Sequence, residues 1–370
     1  MMSRSLLILR SMLCLIALGG ARVNGNDFVH PGISHTKSQL DFVRDKIRAK
    51  EEPWARSWKD LQQSRLSRME WQPRPHVQVE RVPYNRPDIG SSEFSNDSRA
   101  AYSHALCWAL SGNESPAEKA SEILHAWAST LETIENHDAK LLVGMAGHRF
   151  CDAAELLKHT WGKWPLERQK RFNQMLREVF YPIIEDFYPT ANGNWDAAMI
   201  QTMLAMGVYL DDHAMFKRAQ HHIQSNETNG SIPMYFKKSG QCQESGRDQA
   251  HTQMGLEFLL NSCEIAWNQG IDLYATSDDR LRKGFEYTAK YNLGFDVPYE
   301  SYRSFKGRYT YRSISDDSRG RLRDMYEKAY HHYHHRRGLE MPFTEQAIQS
   351  TRPETGERSG VLWSTLMYAR

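Results

Sequence analysis

What most constrains this chain is an unbroken succession of helical patterns, paired through short turns, with no strand-like alternation long enough for a large sheet. The spacing predicts helices over 38–50, 54–67, 98–111, 116–132, 148–159, 166–186, 195–210, 213–225, 248–268, 279–291 and 317–336. The start and stop signals are local. In AAYSHALCWALSG, Ala101, Ala105, Trp108 and Ala109 recur at helical spacing and Ser-Gly-Asn ends the run. Ser115-Pro116-Ala117-Glu118 then opens the next helix with proline at its first position, where no amide hydrogen is needed. Only 69–82 and 302–314 read as strands or extended loops. No Pro/Gly/Ser linker divides the chain, and the lack of a fixed period argues against an open solenoid. The expected fold is therefore all-α: an (α/α) toroid, an incomplete helical barrel with a long groove, built as one domain from residues 26–370.

The first 25 residues differ in kind. A basic start, a short apolar centre from Met12 to Leu18 and small residues at Gly19, Gly20 and Ala21 predict a secretory signal peptide over 1–25. The mature chain is expected to be secreted, extracellular or periplasmic. It keeps Cys107, Cys151, Cys242 and Cys263, which allow two disulfides or none and match no CxxC zinc spacing. Lys and Arg total 47 against 45 Asp and Glu, a net charge of +2, so no overall field recruits nucleic acid or a membrane surface. A monomer is expected.

Four segments concentrate polar residues where helices begin or loops lie. In 144–157, His148 and Arg149 accompany a helix whose apolar face carries Ala153, Leu156 and Leu157, and the structural alternative is a basic first turn with Arg149 paired to Asp152 or Glu155. In 190–212, Asn194 precedes an apolar helix, so its default role is an N-cap, with Trp195 and Asp196 in the first turn. In 240–258, Ser245 and Asp248 have capping-box spacing, which predicts a helix start at Gly246 or Arg247. Arg247, Gln249 and His251 then project from that start, where a helix already favours anions. In 297–321, Tyr299, Tyr302, Tyr309 and Tyr311 alternate with Arg303, Lys306, Arg308 and Arg312. Guanidinium groups favour the phenolate form of a neighbouring tyrosine, which suits a general base, whereas an aromatic-basic surface hairpin is the structural alternative. His331 and His335 share a helical face at metal-ligand spacing, but no nearby carboxylate or Cys completes a set. Neither a metal nor a cofactor is expected, and GxSxG, HExxH, P-loop and GxGxxG signatures are missing.

Taken together, these segments resemble the alginate-lyase superfamily of secreted polysaccharide lyases. The likeness rests on HPGISHTKSQLDFVRDKI, EEPW, AAYSHALCWALSGN, AEKASEILHAWASTL, GMAGHRFCDAAELL, NGNWDAAMIQTMLAMGVYLDD, ESGRDQAHTQMGLEFL and MYEKAYHHYHHRRGLEMPF, spread over about residues 30–355. The resemblance implies a groove for an acidic polysaccharide and β-elimination at a uronic acid. That reaction removes the C5 proton beside a carboxylate, whose charge must be neutralised by hydrogen bonds or cations. By motif, the neutralising Asn falls on Asn194 and the helix-start His on His251. Relatives often pair Asn with His, but here the pair reads Asn194-Trp195. Many also carry a Tyr a few residues beyond an Arg in the helix equivalent to 247–260, where this chain has Met254 and Leu256. The base is therefore sought at Tyr309, with Arg303 beside it and Tyr302 or Tyr299 in reserve. Arg247, Gln249, Trp195, His148 and Arg149 complete the expected substrate contacts.

Two other functions fit a helical toroid. A glycoside hydrolase would need two carboxylates at suitable separation, for which Asp196, Asp248 and Glu244 are available. A non-catalytic carbohydrate-binding protein would use the aromatic and basic residues alone.

Overall fold

The computed structural model describes residues 27–82, 88–356 and 360–370, so the expected signal peptide lies outside the described residues. Helices α1 (Lys37–Arg48) and α2 (Trp54–Gln63) lead into strands β1 (Gln78–Arg81) and β2 (Asp88–Ile89). Then come α3 (Ser91–Ser111), α4 (Glu114–Thr130), β3 (Thr133–Glu135), α5 (Ala139–Leu156), α6 (Leu166–Met175) and α7 (Tyr181–Ile184). The second half holds α8 (Gly193–Tyr209), α9 (His213–Gln224), α10 (Ile232–Tyr235), α11 (Gln249–Asn268) and α12 (Thr276–Asn292). It closes with β4 (Tyr302–Arg303), β5 (Thr310–Tyr311), α13 (Tyr326–Tyr330), α14 (Pro342–Thr351) and α15 (Ser364–Tyr368). Wide i→i+5 turns prolong α5 through Leu157–Trp161 and α13 through His331–Arg336.

Composition sorts these helices into two shells. In α8 every residue from Gly193 to Tyr209 except Trp195 is buried, as expected of a helix that is apolar all round. Helix α9 buries only Met215, Phe216, Ala219 and Ile223, a single face. The inner helices α3, α5, α8 and α11 lie side by side in that order, with α4, α9 and α12 packed outside them. The result is an (α/α) toroid. Because inner helices alternate with outer ones along the chain, the inner helices run parallel and their N-termini gather at one rim. The strands are minor: β1 pairs antiparallel with β2 and parallel with β3, while β4 and β5 form an antiparallel hairpin with Tyr302 opposite Tyr311.

Several helix boundaries differ from the sequence expectation, for identifiable reasons. Helix α5 starts at Ala139, not 148, because its glycines serve packing: a Cβ on Gly144 would lie 2.7 Å from the Ala198 carbonyl carbon. That close approach lets Thr202 Oγ1 and Gln201 Nε2 donate to the Gly144 carbonyl at 2.9 and 2.8 Å. Helix α3 starts at Ser91, earlier than 98, and α13 starts at Tyr326, later than 317. The stretch before α13 is held out of a helix by turns at 317–320 and by bonds to the loop before α11, with Ser315 N donating to Ser245 O and Gln249 N to Asp317 O, both at 2.9 Å. Helices α10, α14 and α15 were not expected. Cys107, Cys151, Cys242 and Cys263 are buried and unbridged. Among the described residues, no helix is long and apolar enough to cross a membrane.

One buried ion pair ties the far end of α11 to the wide turn that prolongs α13. Arg336 reaches Glu264 with both terminal nitrogens, at 2.8 and 2.9 Å, and Tyr274 Oη donates to the same carboxylate at 2.7 Å. Burial alone would raise the Glu264 pKa, but the charge and hydrogen bonds of Arg336 outweigh it and hold the carboxyl at about 2, against 4.5 for a free Glu. A depressed carboxyl stabilises the fold above its unfolded pKa and loses that contribution as pH falls towards the folded one. We expect about 3 kcal/mol to disappear between pH 4.5 and 2. Urea unfolding over that range measures it. In Glu264→Gln the acid-dependent loss should be smaller by that amount; an unchanged acid limb would contradict the assignment.

Candidate active site

At the rim where α8 and α11 begin, a short loop between α10 and α11 supplies a buried carboxylate that organises its surroundings. Glu244 is fully buried. Its Oε2 accepts the Asn194 backbone N–H at 2.9 Å and the Tyr235 hydroxyl at 3.1 Å, while Oε1 accepts Arg247 Nη1 at 2.8 Å. Burial raises the Glu244 pKa; Arg247, His251 and the Asn194 amide oppose that rise. The adjacent Gln243 accepts the Gly193 N–H at 2.7 Å and donates to Asn192 Oδ1 at 3.0 Å. Two consecutive side chains of one loop thus hold the start of α8.

This arrangement corrects two local expectations. The N-cap of α8 is Asn192, so Asn194 is the second helical residue and its side chain is not spent on capping. Its Oδ1 is buried without a hydrogen-bond partner, and its Nδ2 faces only the Met254 thioether at 3.7 Å. Helix α11 starts at Gln249 rather than at Gly246 or Arg247, capped by Asp248, whose Oδ1 accepts the His251 N–H at 2.7 Å. The other oxygen of Asp248 meets His251 Nδ1 at 2.6 Å, and His251 Nε2 lies 3.1 Å from Arg247 Nη2. These partners assign the proton to Nδ1 and leave Nε2 as acceptor. Burial pushes the Asp248 pKa up, but the His251 ring and backbone, with Arg247, bring it below its ordinary value. Asn194 and His251 therefore flank one assembly, joined through Glu244 and Arg247 on one side and Met254 on the other.

A wall of aromatic and basic side chains adjoins the assembly. The Tyr311 hydroxyl donates to Asn192 Oδ1 at 2.9 Å, and the Tyr309 ring lies parallel to that of Tyr311 with centroids 6.4 Å apart. The Arg308 guanidinium covers Tyr309 at 5.4 Å and donates to the Tyr188 hydroxyl at 2.8 Å. Tyr188 meets Trp195 edge-on at 5.7 Å, and Trp195 meets His137 at 5.3 Å. Asn229 anchors the β4–β5 hairpin to this rim: its Oδ1 accepts the Phe305 N–H at 2.6 Å and its Nδ2 donates to the Ala191 carbonyl at 2.7 Å.

The hairpin tyrosines differ in what engages them. Tyr299 donates to the Tyr311 carbonyl at 3.2 Å, and burial pushes its pKa up to about 12. Tyr302 is buried and donates to the Met234 carbonyl; burial raises its pKa too. Tyr311 is pushed up to about 12, by burial and the Glu244 charge, against the opposing pull of Arg247 and Asn192. All three hold their protons at neutral pH. Arg303 sits opposite Thr310 in the hairpin and packs against Gly307, on the other side of the ladder from Tyr309.

The remaining expected contacts lie elsewhere. Gln249 is buried, and its amide is used inside the protein: Nε2 donates to Ser315 O at 3.0 Å and Oε1 accepts Asn292 Nδ2 at 3.1 Å. His148 and Arg149 sit midway along α5. The His148 N–H donates to Thr202, about 12 Å down the α8 axis from Asn194. Arg149 there faces Glu257 at 3.8 Å, which also pairs with Arg323 at 2.7 Å. Of the predicted metal-spaced pair, His331 is buried and His335 exposed, their rings 6.1 Å apart. The three acids a hydrolase would need are engaged. Asp196 accepts from Tyr188 N, Thr228 Oγ1 and, at 2.8 Å, His222 Nε2; Asp248 and Glu244 are tied as described.

The sequence pattern of the family described as alginate lyase matches residues 38–296. The fold superposes on alginate lyase A1-III from Sphingomonas species A1 with a TM-score of 0.64 and 16% identity, over 92% of this chain and 97% of that one. An alginate lyase from Bacteroides ovatus gives 0.56 and 14% identity, over 92% of this chain and all of the other (100%). A histidine-to-alanine variant of A1-III complexed with tetrasaccharide gives 0.61 and 14%, over 91% and 97%. At these identities the likeness is one of fold. A comparison with curated protein sequences finds no match.

The Asp248–His251 pair yields a discriminating variant. Asn caps helices as well as Asp does, so Asp248→Asn should change Tm little. It also removes the carboxylate that fixes the His251 proton on Nδ1. Turnover of the chain's substrate should fall at least about tenfold. Unchanged turnover at unchanged Tm would reduce Asp248 to a cap.

Proposed function

The chain belongs to the alginate lyase family, and from that membership we propose that it is a secreted polysaccharide lyase cleaving a uronic-acid polymer, alginate or glucuronan, by β-elimination. The observation that carries this reading is the unpartnered, buried amide oxygen of Asn194, whose backbone N–H shares the Glu244 carboxylate with Arg247, itself 3.1 Å from His251, at the rim where two inner helices begin. An amide oxygen left without an internal partner, at that cost in desolvation, is suited to a ligand. Substrate-bound relatives support an acidic polysaccharide as that ligand: A1-III has been captured with a tetrasaccharide.

In this reading the uronate carboxylate faces Asn194 and Arg247, while His251 Nε2 accepts from the Arg247 guanidinium and holds it in place. The Asn194 amide, the Arg247 guanidinium and the helix N-termini supply hydrogen bonds and positive potential that strengthen as the C5 carbanion develops. The Arg247 charge is partly offset by Glu244, so hydrogen bonding carries more of the neutralisation than net charge does. Tyr309 takes the C5 proton onto its phenolate oxygen. The C5–H electron pair becomes the C4–C5 double bond, the C4–O4 bond breaks, and O4 takes a proton, which Tyr309 can return. Arg308 over the Tyr309 ring makes that edge of the groove basic, whereas Arg303 lies on the other side of the ladder. Trp195 and Tyr188 offer flat faces for neighbouring sugars. Secretion rests on the signal-like residues 1–25.

Loss of the carboxylate contacts should be read in kcat/KM for unsaturated-product formation on alginate and glucuronan. Asn194→Ala and His251→Ala should each cost about 2–4 kcal/mol of transition-state stabilisation with the fold intact. Near wild-type kinetics in either variant would remove that residue from the mechanism. Tyr309→Phe deletes only a hydroxyl, so it should abolish elimination while polymer binding persists. Activity above about a tenth of wild type would show that Tyr309 merely stacks.

A further inference from the structure

A second convergence of chemistry lies at the opposite end of α8, about 25 Å along its axis from Asn194. Glu155 is the penultimate residue of α5, 1% exposed, and His159 follows one turn later in the wide turn, on the same face. The N-terminal lead-in crosses this face and brings His30 to it. His30 Nδ1 lies 2.7 Å from Glu155 Oε1, and His159 Nε2 lies 3.5 Å from Glu155 Oε2. The two imidazoles face each other, with centroids 4.1 Å apart. One ligand atom from each of His30, Glu155 and His159 falls within 4.8 Å of the others. Both Glu155 Oε2 and His159 Nε2 are buried and lack a hydrogen-bond partner among the described residues. Leaving a carboxylate oxygen and an imidazole nitrogen both unsatisfied costs free energy that a shared cation would recover.

We propose that His30 Nδ1, the Glu155 carboxylate and His159 Nε2 bind a divalent transition-metal cation, zinc by preference. Two imidazole nitrogens and one carboxylate suit zinc, whereas magnesium and calcium favour all-oxygen sets. The surrounding residues supply the usual orienting contact: Asp211 Oδ1 accepts from His30 Nε2 at 2.9 Å, which leaves Nδ1 for the metal. Lys158 lies 3.4 Å from Asp211 and holds that carboxylate in turn. With His30 and His159 side chains 16% and 23% exposed, water can complete the coordination. Binding requires one imidazole to turn out of the present stack, so that both ring lone pairs and the carboxylate meet at a common point about 2.0–2.2 Å away, and it displaces the proton shared between His30 and Glu155. The ion would fasten the lead-in to the end of α5 and is remote from the sugar groove.

The test uses the full mature chain without a polyhistidine tag, stripped with chelator and titrated calorimetrically with Zn2+ alone and, separately, with Mg2+. The expected result is one Zn2+ per chain at micromolar Kd or tighter, no comparable Mg2+ binding, and a Tm raised by about 3–5 °C at saturating zinc. His159→Ala should weaken zinc at least tenfold and cancel the Tm gain. Should that variant fail to fold, Co2+ added to the wild-type protein decides, because visible absorption of a nitrogen/oxygen-ligated cobalt is expected. No zinc binding tighter than about 100 μM, equal affinity in a folded His159→Ala, or a featureless cobalt spectrum would each overturn the proposal.

Discussion

The rim of this toroid depends on one buried carboxylate. Glu244 receives the first turn of α8 through the Asn194 amide, the Tyr235 hydroxyl from α10, and the Arg247 guanidinium ahead of α11. A lone buried carboxylate would be costly, and only its full set of donors makes it tolerable. That set in turn determines where Asn194, Arg247 and His251 stand relative to each other. Removing the charge would not simply delete a contact. It would release two inner helix starts and the short loop between them.

How much of this was legible in the sequence follows from the range of each interaction. Helices α8, α9 and α11 begin and end within two residues of their expected limits, because their apolar spacing and caps are local signals. Helix α5 was read nine residues short, since Gly144 and Gly147 look like breaks until Ala198 and Thr202 are known to pack on them. The late start of α13 depends on backbone bonds to Ser245 and Gln249, about seventy residues earlier, which no local pattern reports.

The site divides the same way. Asn194, Arg247 and His251 stand out as polar residues at helix starts. Their organisers are less visible in that role: Tyr311 stands out only as one of four hairpin tyrosines and Glu244 only as a carboxylate, and with Asn192 they meet across 50 to 119 positions. Asn192 is the partial exception, since the Asn192-Gly193 turn marks a bend. His148 and Arg149 show the converse. Their spacing suits a functional face, yet the face points into the interior, where the His148 ring is buried and Arg149 faces Glu257. The His30–Glu155–His159 cluster spans about 130 positions, and only two of its three residues, the i and i+4 pair, are visible as a pattern.

The acids near the rim bear on which bond-breaking chemistry it supports. Asp196, Asp248 and Glu244 each accept hydrogen bonds from the protein on both oxygens, which leaves no free pair to act as acid and base on a glycosidic bond. Elimination needs none of them for that purpose; it needs a neutralised uronate and a base. The most direct measurement is therefore the fate of solvent oxygen. Digestion of alginate and glucuronan in water labelled with heavy oxygen, followed by mass spectrometry, should give products with unsaturated non-reducing ends and no label incorporated at cleavage. Label at each new reducing end, with saturated products, would contradict the account and establish hydrolysis instead.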